Sequence, residues 1–119
     1  MTEKNHTASS HGRHVPLAAA KQLRPPAGAL SSLVFEHGTM ALRLYSPVGT
    51  DAQKPHTRDE IYVVASGSGV FVNGDTRHDF ATGDALFVPA GVTHRFESFS
   101  ADFAVWVVFY GPEGGEKLK

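Results

Sequence analysis

The stretch 83-GDALFVPAGVTHRFES-98 combines a strand-like run, a sharp break and a histidine. Residues 84–91 are interpreted as a strand that Pro89 and Gly91 terminate, because proline lacks a backbone N–H and glycine favours turns. His94 opens the strand that follows. The stretch therefore predicts two strands joined by a tight turn, with an imidazole next to the loop.

Strand-like runs recur from Leu30 onward and are separated by turns rich in glycine, proline and polar residues. They cover residues 30–38, 39–47, 60–67, 69–80, 84–91, 93–100 and 102–111. Turns are predicted at His37-Gly38 and at Asn73-Gly74, where the sequence is typical of a type I′ hairpin. About eight short strands without an amphipathic helix are typical of an all-β sandwich or a small barrel.

The composition limits the classes of function. The chain has 119 residues, 41% of them hydrophobic, which suits one domain with one core. A formal net charge of −1 offers no electrostatic case for nucleic acid or an anionic membrane as a partner. No cysteine is present, which excludes disulfides and thiolate chemistry. Because the sequence has no long apolar run and no secretory signal, we expect a cytoplasmic protein.

The chain divides into three parts by composition. Residues 1–28 are polar and rich in proline, so we expect a flexible N-terminal tail and linker, with a short ordered piece within 16–24. Residues 29–111 carry the strands and form the predicted β-barrel domain. Residues 112–119 are expected to be a C-terminal tail. The first part also contains three histidines that a solvated tail would leave exposed: His6, His11 and His14.

A second histidine precedes a strand in 55-PHTRDEIYVVASGSG-69, and the two segments together resemble the paired motifs of the cupin superfamily. The second motif of that family, G(X)5PXG(X)2H(X)3N, is matched by Gly83, Pro89, Gly91 and His94. The first, G(X)5HXH(X)3–4E(X)6G, is matched in its second half by Glu60 and Gly67. The resemblance spans roughly residues 30–111 and implies an all-β double-stranded β-helix, also called a jelly-roll barrel.

Two positions depart from the family motifs. The spacing to Glu60 makes His56 the second histidine of the first motif, so that Lys54 stands where the first histidine would be. Ser98 stands where the second motif ends in asparagine. The resemblance therefore implies a site of two imidazoles and one carboxylate.

The metal ligands implied by the resemblance are His56, Glu60 and His94. They suit one divalent ion, Fe, Mn, Ni, Zn or Cu, and the set of two histidines and one carboxylate is known from non-haem Fe(II) oxygenases. On a straight strand, residues four apart are separated by about 13 Å, whereas ligands lie about 2.0–2.2 Å from an ion. Residues 57–59 must therefore turn the chain, so that His56 and Glu60 lie on neighbouring strands.

Two kinds of function are compatible with this site, and the catalytic residues stay unassigned. The first is a metal-dependent enzyme acting on a small organic molecule, with dioxygenase chemistry ahead of isomerase or lyase chemistry. The second is a non-catalytic module or sensor that binds a metal or a small molecule. A structural remnant without a metal is a further alternative.

The period of two along a strand suggests which side chains share the pocket with the ligands. The predicted pocket residues are Lys54, Tyr62, Val64 and Phe96. The last three could equally be ordinary barrel core, and Lys54, like Gln53, could be a solvated loop residue. Arg43 either points inward, where it could clamp a carboxylate, or outward into solvent.

The run 103-FAVWVVFY-110 is apolar on both faces, which predicts a strand buried on both sides. A second subunit would cover the outer face, so we expect a homodimer. The alternative is cover by the first strand or by the N-terminal segment.

Overall fold

The computed structural model describes residues 13–118, which form one short helix and two antiparallel sheets. The helix α1 (Leu17–Ala20) is followed by eight strands: β1 (Ser32–His37), β2 (Met40–Tyr45), β3 (Asp59–Ser66), β4 (Gly69–Asn73), β5 (Thr76–Phe80), β6 (Ala85–Val88), β7 (His94–Glu97) and β8 (Ala104–Tyr110). No helix in this part of the chain is long and apolar enough to cross a membrane.

The two sheets enclose the main core, as the all-β barrel prediction requires. Five strands form one sheet in the order β1-β2-β8-β3-β6, and three form the other in the order β5-β4-β7. Their facing sides pack an aromatic and aliphatic core of buried residues: Tyr45, Tyr62, Val64, Phe71, Phe80, Val88, Phe96, Phe103, Val105 and Val107. The rings meet mostly edge-on or tilted, as aromatic cores prefer.

Both hairpin turns lie one residue later than the sequence predicted. Asn73 still pairs with Thr76, so the loop between β4 and β5 consists of Gly74 and Asp75. Only Gly74 has a positive φ, +59°, which fits a type II′ turn and not the predicted type I′. Asn73 remains in the strand, where it also pairs with His94 of β7, and its side-chain amide donates a hydrogen bond of 2.9 Å to the carbonyl of Phe87.

The N-terminal segment packs against the barrel where the structure describes it. Residues 1–12, with His6 and His11, and Lys119 lie outside the described residues. Ala20 is only 1% exposed and lies in a second apolar cluster on the outer face of the five-stranded sheet. The cluster contains Val15, Leu17, Ala20, Leu23, Val34, Phe35, Leu42, Leu44, Ala104 and Trp106. The packed residues 15–23 overlap the short ordered piece that we expected within residues 16–24 of the N-terminal tail and linker.

This cluster also explains why β8 is apolar on both faces. Val105 and Val107 face the barrel core, whereas Ala104 and Trp106 face the outer cluster. The N-terminal segment thus covers part of the outer face, which was the alternative to a second subunit.

The C-terminal segment is hydrogen-bonded to the barrel, unlike the expected tail. The amide of Gly114 donates to the carbonyl of Thr57 at 2.6 Å. The amide of Glu116 donates to Oδ2 of Asp59 at 2.8 Å, and the amide of Ala90 donates to the other carboxylate oxygen at 2.9 Å. Asp59 therefore joins the start of β3 to two other segments of the chain.

Candidate metal centre

The predicted turn before β3 is present. The backbone bends at Thr57 and Arg58, and Asp59 already belongs to the strand. His56 lies in the preceding loop and not on a neighbouring strand as expected. Its carbonyl accepts a hydrogen bond of 2.7 Å from the amide of Gly91, which ties this loop to the turn that precedes β7.

His94, the first residue of β7, is buried and oriented by its own backbone neighbourhood. Its Nδ1 lies 2.9 Å from the carbonyl of Val92 and can only donate to that oxygen. The Nε2 atom then carries the lone pair and faces the barrel interior, which is the arrangement that a metal-binding histidine requires.

The three predicted ligands come together. Nε2 of His94 lies 3.3 Å from Oε1 of Glu60, and Nε2 of His56 lies 3.7 Å from Oε2. One ligand atom from each of the three residues lies within 4.8 Å of the others. Two ligands about 2.1 Å from one ion are separated by roughly 3.0–3.5 Å, so side-chain shifts of about 1 Å or less complete the convergence. This cluster could hold a metal ion.

The electrostatics of the cluster also suit a cation. Glu60 is 1% exposed, and within residues 13–118 only the Tyr62 hydroxyl comes near enough to its carboxyl group to oppose the effect of burial. Burial raises the pKa of Glu60 to about 8. Burial, reinforced by repulsion from His94, lowers the pKa of His56 to about 4, and burial also lowers the pKa of His94. Neutral imidazoles beside a buried carboxyl form a donor set that suits a divalent ion.

A polar network that sequence reasoning missed borders the cluster. Gln53 Oε1 accepts a hydrogen bond from the Tyr62 hydroxyl at 2.9 Å and lies 3.2 Å from Nε2 of His56. The Tyr62 hydroxyl lies 3.0 Å from Nε2 of His94. Asp51 holds Gln53 in place by accepting its side-chain amide at 2.8 Å and its backbone amide at 3.1 Å.

The sequence offers one signal for this network: Gln53 is next to Lys54, which stands at the motif position of the first histidine. The sequence leaves Gln53, like Lys54, open between a cavity-facing residue and a solvated loop residue, and in the structure its amide oxygen stands beside the cluster. It would be available as a fourth, oxygen ligand. Lys54 itself is exposed, although it occupies the motif position of the missing histidine.

A cavity of about 370 Å³ opens beside the cluster. Its lining residues are Ala29, Leu30, Ser31, Glu36, Ala41, Arg43, Tyr45, Gln53, His56, Arg58, Glu60, Val107 and Phe109.

None of the predicted pocket residues lines that cavity. Tyr62, Val64 and Phe96 point inward as expected but are buried in the core, because the two sheets close over them. Lys54 faces solvent. The cavity instead opens over β2 and β8, through inward-facing residues such as Arg43 and Phe109.

Comparison with known proteins identifies the family. The family model described as "Cupin domain" matches residues 42–110, more than half of the chain. The chain therefore belongs to the cupin family. An uncharacterized protein from Streptomyces coelicolor is 47% identical over 64 residues, which are 54% of this chain and 61% of the relative. The chain thus spans less than two thirds of that relative.

Solved structures share the fold. TT1209 from Thermus thermophilus is 28% identical, with a TM-score of 0.61 over 76% of this chain and 90% of that one. A Klebsiella pneumoniae protein with a double-stranded β-helix domain has a TM-score of 0.64 at 20% identity, over 82% of this chain and 89% of that one. A cupin-2 protein from Shewanella frigidimarina has a TM-score of 0.62 at 16% identity, over 82% and 94%.

Proposed function

We propose that this cupin binds one divalent metal ion through His56, Glu60 and His94 and uses it on a small organic molecule in the adjacent cavity. The observation that carries the proposal is the convergence of one ligand atom from each of the three residues, with the Glu60 carboxyl buried between two imidazole nitrogens. Burial disfavours the ionised form of this carboxyl, and a bound cation would stabilise that form.

The chain's own residues prepare the site. The Val92 carbonyl orients the His94 ring, and Asp51 orients the Gln53 amide oxygen towards the cluster. The inner sheet surfaces exclude water from Glu60. An ion of the Fe, Mn, Ni, Zn or Cu class would supply Lewis acidity and, for Fe(II), open positions for O₂. Dioxygenase chemistry is our leading choice, and isomerase chemistry is the second.

A non-catalytic binding module is the competing function. Lys54, at the motif position of the first histidine, is exposed and leaves the cluster with two imidazoles. Among the described cavity residues, the only histidine is His56, which belongs to the cluster, so no separate imidazole stands ready as a general base.

Metal titration tests the ligand assignment. His6, His11 and His14 are replaced by Gln in every sample, because deleting residues 1–15 would also remove Val15 from the outer cluster. In this background we expect one Zn²⁺ or Fe²⁺ per chain. His94→Ala should weaken binding at least about 100-fold, as loss of a direct ligand exceeds the 10–100-fold typical of outer-shell changes. His78→Ala, at an exposed position on β5, is the matched control. Unchanged metal affinity in His94→Ala would refute the assignment.

Oxygen consumption separates the two functions. The Fe(II)-loaded protein is mixed with catechols, thiols and 1,3-diketones, and O₂ is followed with an electrode. Turnover that disappears in His94→Ala supports a dioxygenase. Metal binding without turnover on any substrate supports the binding module.

A further inference from the structure

Two guanidinium groups line the cavity next to the metal-binding cluster. Arg43 is in the middle of β2, where it pairs with Val107 of β8, and both line the cavity. Arg58 lies at the bend before β3, donates a hydrogen bond to the carbonyl of Thr39 and stands 6.0 Å from the Phe109 ring centre. The cluster residues His56 and Glu60 line the same cavity.

Arg43 is half-buried and keeps donors that no other residue of the described range 13–118 uses. Its Nε donates to Ser31 Oγ at 2.7 Å, and Nη2 donates to the Ser31 carbonyl at 3.0 Å. These two bonds use two of the five N–H groups of a guanidinium. Within residues 13–118, no carboxylate lies within ion-pair distance of Arg43. The guanidinium is therefore anchored, and Glu36, which lines the same cavity, acts on it only from beyond ion-pair distance.

The cavity has an excess of positive charge once a divalent ion is present. Arg43, Arg58 and the ion contribute positive charge, whereas Glu36 and Glu60 are the acidic side chains in the lining. The formal balance is about +2 with every group ionised. A half-enclosed cationic cavity of this kind concentrates anions.

From these observations we propose that the ligand of this cavity is a small organic carboxylate and that the Arg43 guanidinium binds its carboxylate group. The planar fork of arginine matches a carboxylate, and Ser31 holds that fork in one orientation. Ala41, Val107 and Phe109 supply apolar wall for an organic body, and about 370 Å³ limits its size. The proposal rests on the proposed function, since the body of the ligand would face the cluster.

The test compares charged and neutral probes of the same shape. Benzoate, 3-phenylpropionate and succinate are titrated calorimetrically into the full chain, both metal-free and loaded with Zn²⁺. Benzamide is the neutral isostere of benzoate, and phenyl phosphate is the alternative anion. We expect at least one carboxylate to bind with a Kd below about 10 mM and benzoate to bind at least about tenfold more tightly than benzamide.

The variants assign the binding to Arg43. Arg43→Met should weaken carboxylate binding at least about tenfold and leave Zn²⁺ binding unchanged. Arg77→Met, which removes an exposed arginine paired with Glu97 on the other sheet, is the matched control and should change neither. Arg43→Lys keeps the charge but loses the fork, and should also weaken binding. If circular dichroism shows that Arg43→Met is unfolded, two other measurements test the proposal: the carboxylate affinity of Arg43→Lys, and the ratio of the affinities for benzoate and benzamide.

Several outcomes would overturn the proposal: equal affinity for benzoate and benzamide, no carboxylate bound, tighter binding of phenyl phosphate, or full carboxylate binding by a folded Arg43 variant. These outcomes are separate from failure of the proposed function. A chain that binds no Zn²⁺ but still selects benzoate through Arg43 loses the metal assignment alone. A chain that binds Zn²⁺ without selecting carboxylates loses the carboxylate assignment alone.

Discussion

At the scale of single residues, Glu60 is a carboxyl group that lowers the stability of the core but that a metal site would need. Its neighbours on the inward face of β3 are Tyr62 and Val64, which are fully buried core residues. A carboxyl group between such residues loses its contact with water, and this burial disfavours its ionised form. The imidazoles that flank Glu60 are the other two members of the cluster, so the proposed metal ion would offset this cost.

The pH dependence of stability tests this cost in the metal-free protein. The folded pKa of Glu60, about 8, lies above its ordinary value of 4.5. The folded state therefore holds a proton that the unfolded state releases, and stability falls as pH rises from about 4.5 to 8. Between pH 7 and pH 9 this group should remove about 1–2 kcal/mol, a window in which both depressed histidines are already neutral.

Glu60→Gln should lack this loss, because glutamine does not titrate. The measurement is urea denaturation at pH 7 and pH 9 after chelation, with Glu113→Gln, at an exposed C-terminal position, as the control. Identical pH profiles for wild type and Glu60→Gln would contradict the burial argument. Adding Zn²⁺ should stabilise the wild type more than Glu60→Gln, because the variant lacks one ligand.

At the scale of elements, the connection between β3 and β4 depends on one glycine. Gly67 has φ +92°, and a Cβ atom there would lie 2.7 Å from the Cα of Phe103. The backbone of Phe103 cannot move aside, since its side chain is buried in the barrel core. Gly83 has a similar φ of +95° but has open space around it. Gly67 is therefore needed for its positive φ and for close packing against Phe103, whereas Gly83 is needed for its positive φ alone.

Alanine substitutions should separate backbone strain from steric clash. Gly83→Ala carries only the cost of an L residue at positive φ, about 1–2 kcal/mol. Gly67→Ala adds the clash with Phe103 and should cost about 3 kcal/mol or more. Thermal or urea denaturation of both variants gives the difference, and equal destabilisation would show that the close approach is unimportant.

At the scale of the whole molecule, both faces of the five-stranded sheet are used. The inner face carries the barrel core, and the N-terminal segment covers the outer face over β1, β2 and β8. Towards the β6 edge that cover ends. Val63 is 37% exposed and Phe87 is 51% exposed, and both lie on the outer face there.

The homodimer stays a prediction, and this uncovered edge is where we expect it to form. A second copy would bury the apolar side chains that the N-terminal segment does not reach. Light scattering after size-exclusion chromatography should give twice the chain mass for the wild type. Phe87→Glu should give the monomer mass, because a charge would be buried in the contact. Val48→Glu, in an exposed loop, should remain dimeric. A monomeric wild type would refute the dimer.

Much of the fold and three side chains of the candidate site could be predicted from the sequence. Glycine, proline and a two-residue period act locally, so the strands and the turns between them are readable from short stretches. The spacing of Glu60, Gly67, Gly83 and His94 carried the resemblance to cupins for the same reason. His56, Glu60 and His94 were therefore identified together before their positions in space were known.

Other features depended on contacts between distant parts of the chain. In β2, the larger apolar residues Leu42 and Leu44 face the outer cluster, and Arg43 faces the cavity. The alternation alone is compatible with either orientation, because the N-terminal segment makes the outer face apolar too. Gln53 turns towards the cluster because Asp51 holds it, while Asp51 accepts the amide of Phe96, 45 residues away. The two-residue period sets which side chains share a face, but only strand pairing and packing decide which face is inside.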